Sequence, residues 1–445
     1  MQQATQIDRA YVYRIASVAA LGGLLFGYDT AIINGAIVFL KRQFAWNDWQ
    51  TELAASSLLA GCVLGASIAG TISDRRGRKQ TLLISAAIFA LSSAATALPN
   101  SLIWFSLARI AGGIAIGIAS MLSPLYIAEI SPEHMRGRLV SLNQLAITIG
   151  ILLSYVIGWA LSFTGPAAWR WMFASMAIPS LLFYFALFAV PESPRWLVKM
   201  HRDNQALAVL DRSGEPKSRL AEIRRALVEE ANVNLFHRSL RRPLIIGVVL
   251  AVLQQITGIN TILYYGSIIF TEQLGAGSAS AALWANVVIG VVILLCTVFA
   301  IFTIDRVGRK PLLMIASAGM GMCLLLVGFL FRSHVPSPTL TLCLILGYVG
   351  FFAVGLGPGV WVLISELFPT HIRGRAMSIA TISLWIACLA ITSSFLSIVK
   401  LISITGAFWL YAILSFFTFI FVWRAVPETK GQTLEMIERQ WLVRS

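Results

Sequence analysis

Charge is what this sequence lacks. Of its 445 residues only 12% are Asp, Glu, Lys or Arg and 58% are hydrophobic, whereas a soluble globular domain carries roughly 25% charge. The shortage excludes an ordinary soluble protein and points to an integral membrane protein. The five cysteines (Cys62, Cys296, Cys323, Cys343, Cys388) all lie in apolar stretches and form no CxxC pair, so neither a disulfide framework nor a metal site is implied. There is no GxxxxGK[ST] loop, which argues against an ATP-driven pump. No cofactor site and no covalent chemistry are implied, and an enzyme is not expected. The first apolar run is too long for a secretory signal, and no convincing small-residue cleavage site follows it. A net charge of +14 raises nucleic acid as a partner. The basic residues, however, come in short clusters between apolar runs, as membrane anchoring requires.

What the sequence has is apolar runs. A helix needs about 20 mostly apolar residues to cross the hydrocarbon core. Twelve runs qualify, near 14–40, 53–73, 80–98, 102–128, 139–163, 170–190, 243–270, 281–304, 311–331, 339–365, 376–398 and 404–425. Alternate connections, together with both chain ends, hold 28 of the 34 Lys and Arg residues. That asymmetry predicts cytoplasmic termini in a multi-pass protein; the compact tails and the intramembrane Asp29 favour a bacterial inner membrane, with a eukaryotic plasma membrane as the alternative.

The chain also repeats itself. DRRGRK at 74–79 returns as DRVGRK at 305–310. Glu129 followed by Arg136-Gly137-Arg138 returns as Glu366 followed by Arg373-Gly374-Arg375, and PESPR at 191 returns as PETKG at 427. Three motifs at nearly one offset predict two six-helix halves of the same topology, with a substrate site between them near the midplane. The expected division is 1–190, a cytoplasmic linker at 191–242, a second half at 243–426 and a short tail at 427–445. In the linker, Leu207, Leu210, Leu220, Ile223 and Leu227 recur at helical spacing, which predicts short amphipathic helices. The motif residues Asp74, Arg75, Arg78, Glu129, Arg136, Glu192, Arg195, Asp305, Arg306, Arg309, Glu366 and Arg373 form a candidate ion-pair network on the cytoplasmic side. In it Glu129 and Glu366 would partner Arg75, Arg136, Arg306 or Arg373 and latch the halves together in one state. The alternative is plain topology signalling.

Asp29 stands in the middle of the first run, within LFGYDTAIINGA. A lone charge at mid-bilayer costs at least about 2.5–3.5 kcal/mol, so it needs a partner. Arg109, near the start of the fourth run, is the one basic residue placed inside a span. If their separation changes with conformation, Asp29 binds and releases a proton in each cycle; the alternative is a static pair that fixes packing. Several spans also carry amides and aromatics: Gln144 in the fifth, Gln254, Gln255 and Asn260 in the seventh, Trp361 in the tenth and Trp385 in the eleventh. Amides donate and accept, as sugar hydroxyls do, and aromatic faces stack on the apolar faces of a sugar ring. Gln254, Gln255 and Asn260 converge only if their helix is curved or broken, which Thr257 and Gly258 allow. Packing glue between helices is the alternative use of such amides.

RIAGGIAIGIAS (109–120), PLYIAEISPEHMRGRL (124–139), PESPRWL (191–197), QQITGIN (254–260), GPGVWVLISELFPTHIRGR (357–375) and PETKG (427–431) together resemble the sugar porter family of the major facilitator superfamily. The resemblance covers nearly the whole chain. It implies an all-α membrane fold of twelve transmembrane helices and transport of a monosaccharide by alternating access. Proton symporters of the family carry an acid at the Asp29 position where animal facilitators typically have Asn, so the resemblance implies proton coupling; the alternative is a uniporter. It places Gln144, Gln254, Gln255, Asn260 and Trp361 in the sugar pocket, Phe26 and Trp385 near it, and Tyr264 and Tyr265 closing over the sugar from outside. The partners are then a monosaccharide, a proton and the lipid bilayer, with no nucleic acid, and the chain is expected to work as a monomer. A non-transporting sugar sensor is disfavoured by the short tail after Pro427.

Three positions depart from the family. Ile293, Leu384 and Cys388 stand where many relatives have amides, so the second half of the pocket is less polar. Asn286 is a substitute donor near the entrance, and Ile151 resembles the glucose facilitators. The balance leans to a hexose, with a pentose or a cyclic polyol such as inositol next.

Overall fold

A long apolar run can satisfy its backbone N–H and C=O groups in hydrocarbon only by pairing them internally, so each run becomes a helix. The computed structural model describes residues 8–132, 135–215, 218–232, 238–273, 279–333, 337–368 and 373–430. Twelve helices in it are long and apolar enough to cross a membrane. Span 1 is Arg9–Phe44, span 2 Asp48–Arg76, span 3 Arg78–Ala97, span 4 Leu102–Ile130, span 5 Arg136–Thr164 and span 6 Ala168–Ala189. Span 7 is Leu240–Thr271, span 8 Ser280–Val307, span 9 Arg309–Arg332, span 10 Pro338–Ile364, span 11 Gly374–Thr392 and span 12 Phe395–Ala425. The helices overrun the apolar runs because polar caps extend them: Asp8 accepts from the Tyr11 N–H at 3.0 Å, and Asn47 and Gln50 form a capping box at the start of span 2.

Small residues set how closely the helices approach. Spans 2 and 4 cross through Gly61, Gly65, Gly113 and Gly117, and a Cβ on Gly113 would lie 1.9 Å from the Leu58 carbonyl oxygen. Spans 1 and 5 meet the same way, a Cβ on Gly27 falling 1.9 Å from the Ile147 carbonyl oxygen. Without a hydrophobic drive between helices in lipid, such close backbone contact is a main source of cohesion.

Spans 7 and 10, which reach the cavity, are broken where the sequence allows it. Span 7 stops at Ile256 and restarts at Ile259, and Gly258 between them has φ +92°. Span 10 breaks at Gly355, three residues before Pro358, which has no N–H to donate.

The two tight DRxGRK connections turn on Gly77 (φ +95°) and Gly308 (φ +105°), a backbone region open to glycine and costly for other residues. We call the face that carries them the basic face. The linker forms three short helices, Pro194–Lys199, Asp203–Arg212 and Ser218–Asn232. Trp196, Leu197, Val198, Ala206 and Val209 form their core, with Leu220, Ile223 and Leu227 packed on it. The Trp196 indole N–H donates to the Asp74 carbonyl at 3.1 Å, which fastens this unit to the first DRxGRK turn.

Candidate functional site

A cavity lies between the halves, enclosing about 800 Å³ with its open mouth included. Span 1 contributes Phe26, Gly27 and Thr30, and span 5 contributes Gln144, Thr148 and Ile151. Span 7 contributes Gln254, Gln255, Asn260 and Tyr264 from both sides of its break, and span 10 contributes Trp361. Ile293 and Thr297 of span 8 and Leu384, Trp385 and Cys388 of span 11 complete the wall.

The break in span 7 lets the amides form a chain. Asn260 Nδ2 donates to Gln255 Oε1 at 2.5 Å, and Gln255 Nε2 donates to Gln254 Oε1 at 3.1 Å. Gln254 Nε2 then donates to the Leu356 and Gly357 carbonyls at 2.7 and 3.1 Å, beside the break in span 10. The chain fixes which way each amide faces. Phe26 and Trp385 meet across the halves with ring centroids 5.2 Å apart. The Trp385 indole N–H is taken by Ser120 Oγ at 3.3 Å.

Asp29 and Arg109 are both fully buried, and Arg109 Nη1 donates to Asp29 Oδ1. The guanidinium also lies 5.2 Å from the centre of the Phe173 ring. The pair makes only this one hydrogen bond: Asp29 Oδ2, Arg109 Nε and Arg109 Nη2 have no protein partner among the described residues. Asp29 itself does not line the cavity, but its neighbour Thr30 and Phe26, one turn away, do.

The structure corrects several sequence expectations. Tyr265 does not line the cavity; its hydroxyl donates to the Thr392 carbonyl at 2.6 Å and its ring packs on Phe395. Its neighbour Tyr264 does line the cavity. Asn286 is likewise not a cavity donor. It accepts from Asn34 Nδ2 at 3.2 Å and donates to Ser267 Oγ at 2.8 Å. Asn34 also accepts from the Ser267 N–H at 2.7 Å. Glu52 of span 2 accepts from the N–H and the hydroxyl of Ser397 in span 12, at 2.8 and 2.7 Å. These bonds join the halves at the face opposite the basic one.

On the basic face the carboxylates choose different arginines from those expected. Glu129 pairs with Arg78 at 3.0 Å, and Glu366 pairs with Arg309 at 2.8 Å. Arg78 and Arg309 open spans 3 and 9, and a side chain in the first helical turn runs back toward the helix N-terminus, where spans 4 and 10 end. Both pairs therefore tie helices within one half rather than latching the two halves. Asp74 and Asp305 pair with the same arginines at 3.1 and 2.9 Å. Arg75 and Arg306 are exposed, Arg136 Nε donates to the Ala128 carbonyl at 3.1 Å, and the Arg373 side chain lies outside the described residues.

Glu192 accepts from the Arg78 and Lys79 N–H groups at 2.9 and 3.2 Å. Glu428 does the same for Arg309 and Lys310 at 3.1 and 3.0 Å. Each carboxylate caps the N-terminus of span 3 or span 9, as the helix dipole favours. Burial nonetheless pushes the Glu192 carboxyl above the ordinary glutamate value, against the pull of the N–H groups it accepts from. Glu428, Ser193 and Thr429 are functional neighbours the sequence analysis missed; the hydroxyls of the last two donate to Glu129 and Glu366. The signal was the repeat of PES as PET.

Residues 15–441 match the family described as "Sugar (and other) transporter". The arabinose-proton symporter of Bacillus subtilis is 41% identical over 444 residues, covering 97% of this chain and 95% of that protein. The D-xylose-proton symporter of Escherichia coli is 39% identical over 485 residues, covering 98% and 97%. A solved proton:xylose symporter of the major facilitator superfamily superposes with a TM-score of 0.85 at 37% identity, covering 97% of this chain and 99% of the other. On this evidence the chain belongs to the sugar transporter family, with the major facilitator fold of twelve membrane-spanning helices.

Proposed function

We propose that this protein is a proton-coupled monosaccharide symporter of a bacterial inner membrane, with the basic face and both termini cytoplasmic. The observation that carries the proposal is the Asp29–Arg109 pair. A buried ion pair kept only for packing offsets its desolvation by satisfying its remaining lone pairs and protons. This one makes a single bond, and three of its polar atoms have no protein partner among the described residues, an arrangement suited to parting and re-forming.

The cycle follows from where the bonds lie. With the halves parted at the outer face, Asp29 separates from Arg109, and its desolvated carboxylate takes a proton from outside. Sugar enters the cavity and bonds to Gln144, Gln255, Asn260 and Trp361. The Asn34–Asn286–Ser267 and Glu52–Ser397 contacts then close the outer face, as they do in this structure. The guanidinium of Arg109 returns to Asp29, the proton leaves, and sugar and proton exit on the basic side. One proton moves inward per carboxylate cycle, so the proton gradient drives uptake. The D-xylose and arabinose symporters above lend this reading support as relatives.

The test is sugar-induced proton uptake in de-energised cells, on the native chain and on Asp29→Asn, with hexoses, pentoses and inositols. A transported sugar alkalinises the medium with the native chain. Asp29→Asn abolishes that signal but keeps exchange of labelled sugar. Sugar equilibration with no proton movement in the native chain makes it a uniporter and overturns the proposal.

A further inference from the structure

Span 7 brings three amides to the cavity, and a straight helix could not gather them. Gln255 and Asn260 are five residues apart, which on an unbroken helix turns them about 140° from each other. Here Asn260 Nδ2 reaches Gln255 Oε1 at 2.5 Å, so that contact depends on the break at Thr257 and Gly258. The break has a cost. In an unbroken helix the Thr257 carbonyl takes the Thr261 N–H, but that N–H goes to the Gly258 carbonyl at 3.0 Å. A carbonyl released inside a membrane needs another donor. Tyr348 of span 10 supplies it, its hydroxyl donating to the Thr257 carbonyl at 3.0 Å. Tyr411 of span 12 holds the other side. The Thr261 hydroxyl donates to the Tyr411 hydroxyl oxygen at 3.0 Å, and the Tyr411 ring lies so close that a Cβ on Gly258 would fall 2.6 Å from it. Both tyrosines are buried, and neither lines the cavity.

We propose that Tyr348 and Tyr411 are positioning residues for sugar binding: they hold span 7 broken, and the break holds Gln255 and Asn260 in one array. This rests on the transport reading above and adds to it two residues that touch no sugar. Without the Tyr348 hydroxyl, the Thr257 carbonyl regains a partner by taking back the Thr261 N–H, which straightens the helix and swings Asn260 away from Gln255. Without the Tyr411 hydroxyl, the first turn of the piece after the break is released from span 12, and Asn260 shifts with it. Both changes spare Asp29 and Arg109, which lie in the other half, so sugar affinity is lost while proton coupling is kept.

The measurement is uptake of labelled D-xylose, L-arabinose, D-galactose, D-glucose and myo-inositol by proteoliposomes holding the full chain. It is read as half-saturation concentration, maximal rate and protons moved per sugar. For each sugar that the native chain takes up, Tyr348→Phe and Tyr411→Phe are each expected to raise the half-saturation concentration about ten-fold, with the proton-to-sugar ratio unchanged. Thr261→Val removes the other end of the Tyr411 bond. It should match Tyr411→Phe, and the two together should lose no more affinity than either alone. A tyrosine that only packs the bundle behaves differently: the melting temperature or the maximal rate falls and the half-saturation concentration stays. That outcome overturns the inference, and so do losses at Thr261 and Tyr411 that simply multiply. Failure of the parent reading looks different again. If the native chain takes up none of these sugars, the transport proposal falls and this one with it. If sugars move without protons, only the coupling is lost and the affinity effects stand.

Discussion

In the proposed cycle the Asp29–Arg109 pair couples sugar to proton, and its energetics are testable apart from transport. Removing one partner of a buried ion pair leaves an uncompensated charge, at a cost of about 3–5 kcal/mol. Arg109→Gln is therefore expected to lower the melting temperature in detergent clearly at neutral pH. The sign of the pH dependence follows from the orphaned group. A protonated Asp29 needs no counter-charge, so the deficit shrinks as the medium is acidified. The double variant Asp29→Asn with Arg109→Gln should melt closer to the native protein than Arg109→Gln alone. A melting curve for Arg109→Gln that matches the native one across pH 5–8 would sink the assignment of an ion pair. The pair was legible in the sequence because a lone acid and a lone base stand in apolar runs. The place of Tyr265 was not legible, because a motif does not show that its hydroxyl is taken by the Thr392 carbonyl and its ring by Phe395.

At the scale of the helix, backbone approach at glycine is the feature most open to measurement. A Cβ on Gly113 would meet the Leu58 carbonyl oxygen at 1.9 Å, while one on Gly137 meets nothing within 4 Å. Gly113→Ala forces spans 2 and 4 apart, and overpacking of this kind costs about 1–3 kcal/mol. Gly137→Ala relieves a helix of its glycine and gains up to about 1 kcal/mol. The two variants should thus shift the melting temperature in opposite directions, and a Gly113→Ala protein as stable as the native one removes the close crossing from the account. The sequence made the elements themselves plain, because twelve apolar runs and a three-motif repeat leave little choice of architecture. It did not show which arginine each carboxylate takes. That choice depends on Arg78 and Arg309 being the first residues of their helices, a register fixed by Gly77 and Gly308. The break in span 7 was readable from the need to bring three amides together. The partner of Asn286 was not, since Asn34 lies 252 residues away in the chain.

For the molecule as a whole, the question is what holds one face shut. The ion pairs of Arg78 with Glu129 and of Arg309 with Glu366 stay within a half, so they keep each half rigid and do not choose between states. The bonds that cross between halves at the opposite face do choose. Glu52 accepts two hydrogen bonds from Ser397 in the first turn of span 12, where the helix dipole favours a carboxylate. Hydrogen bonds to a charged group contribute about 1.5–3 kcal/mol, and each 1.4 kcal/mol of difference is about ten-fold in population. Because these contacts close that face, their removal biases the equilibrium toward a state open there. Glu52→Gln keeps the shape and removes the charge, and Asn34→Ala removes the second lock. Spin labels on Trp49 and Lys400, both exposed and on opposite halves of that face, report the opening. The native protein should give a short distance distribution without sugar, Glu52→Gln a second, longer component, and the double variant mostly the longer one. Distributions that stay the same in both variants would mean that apolar packing around Tyr265 and Phe395, rather than these hydrogen bonds, holds that face closed.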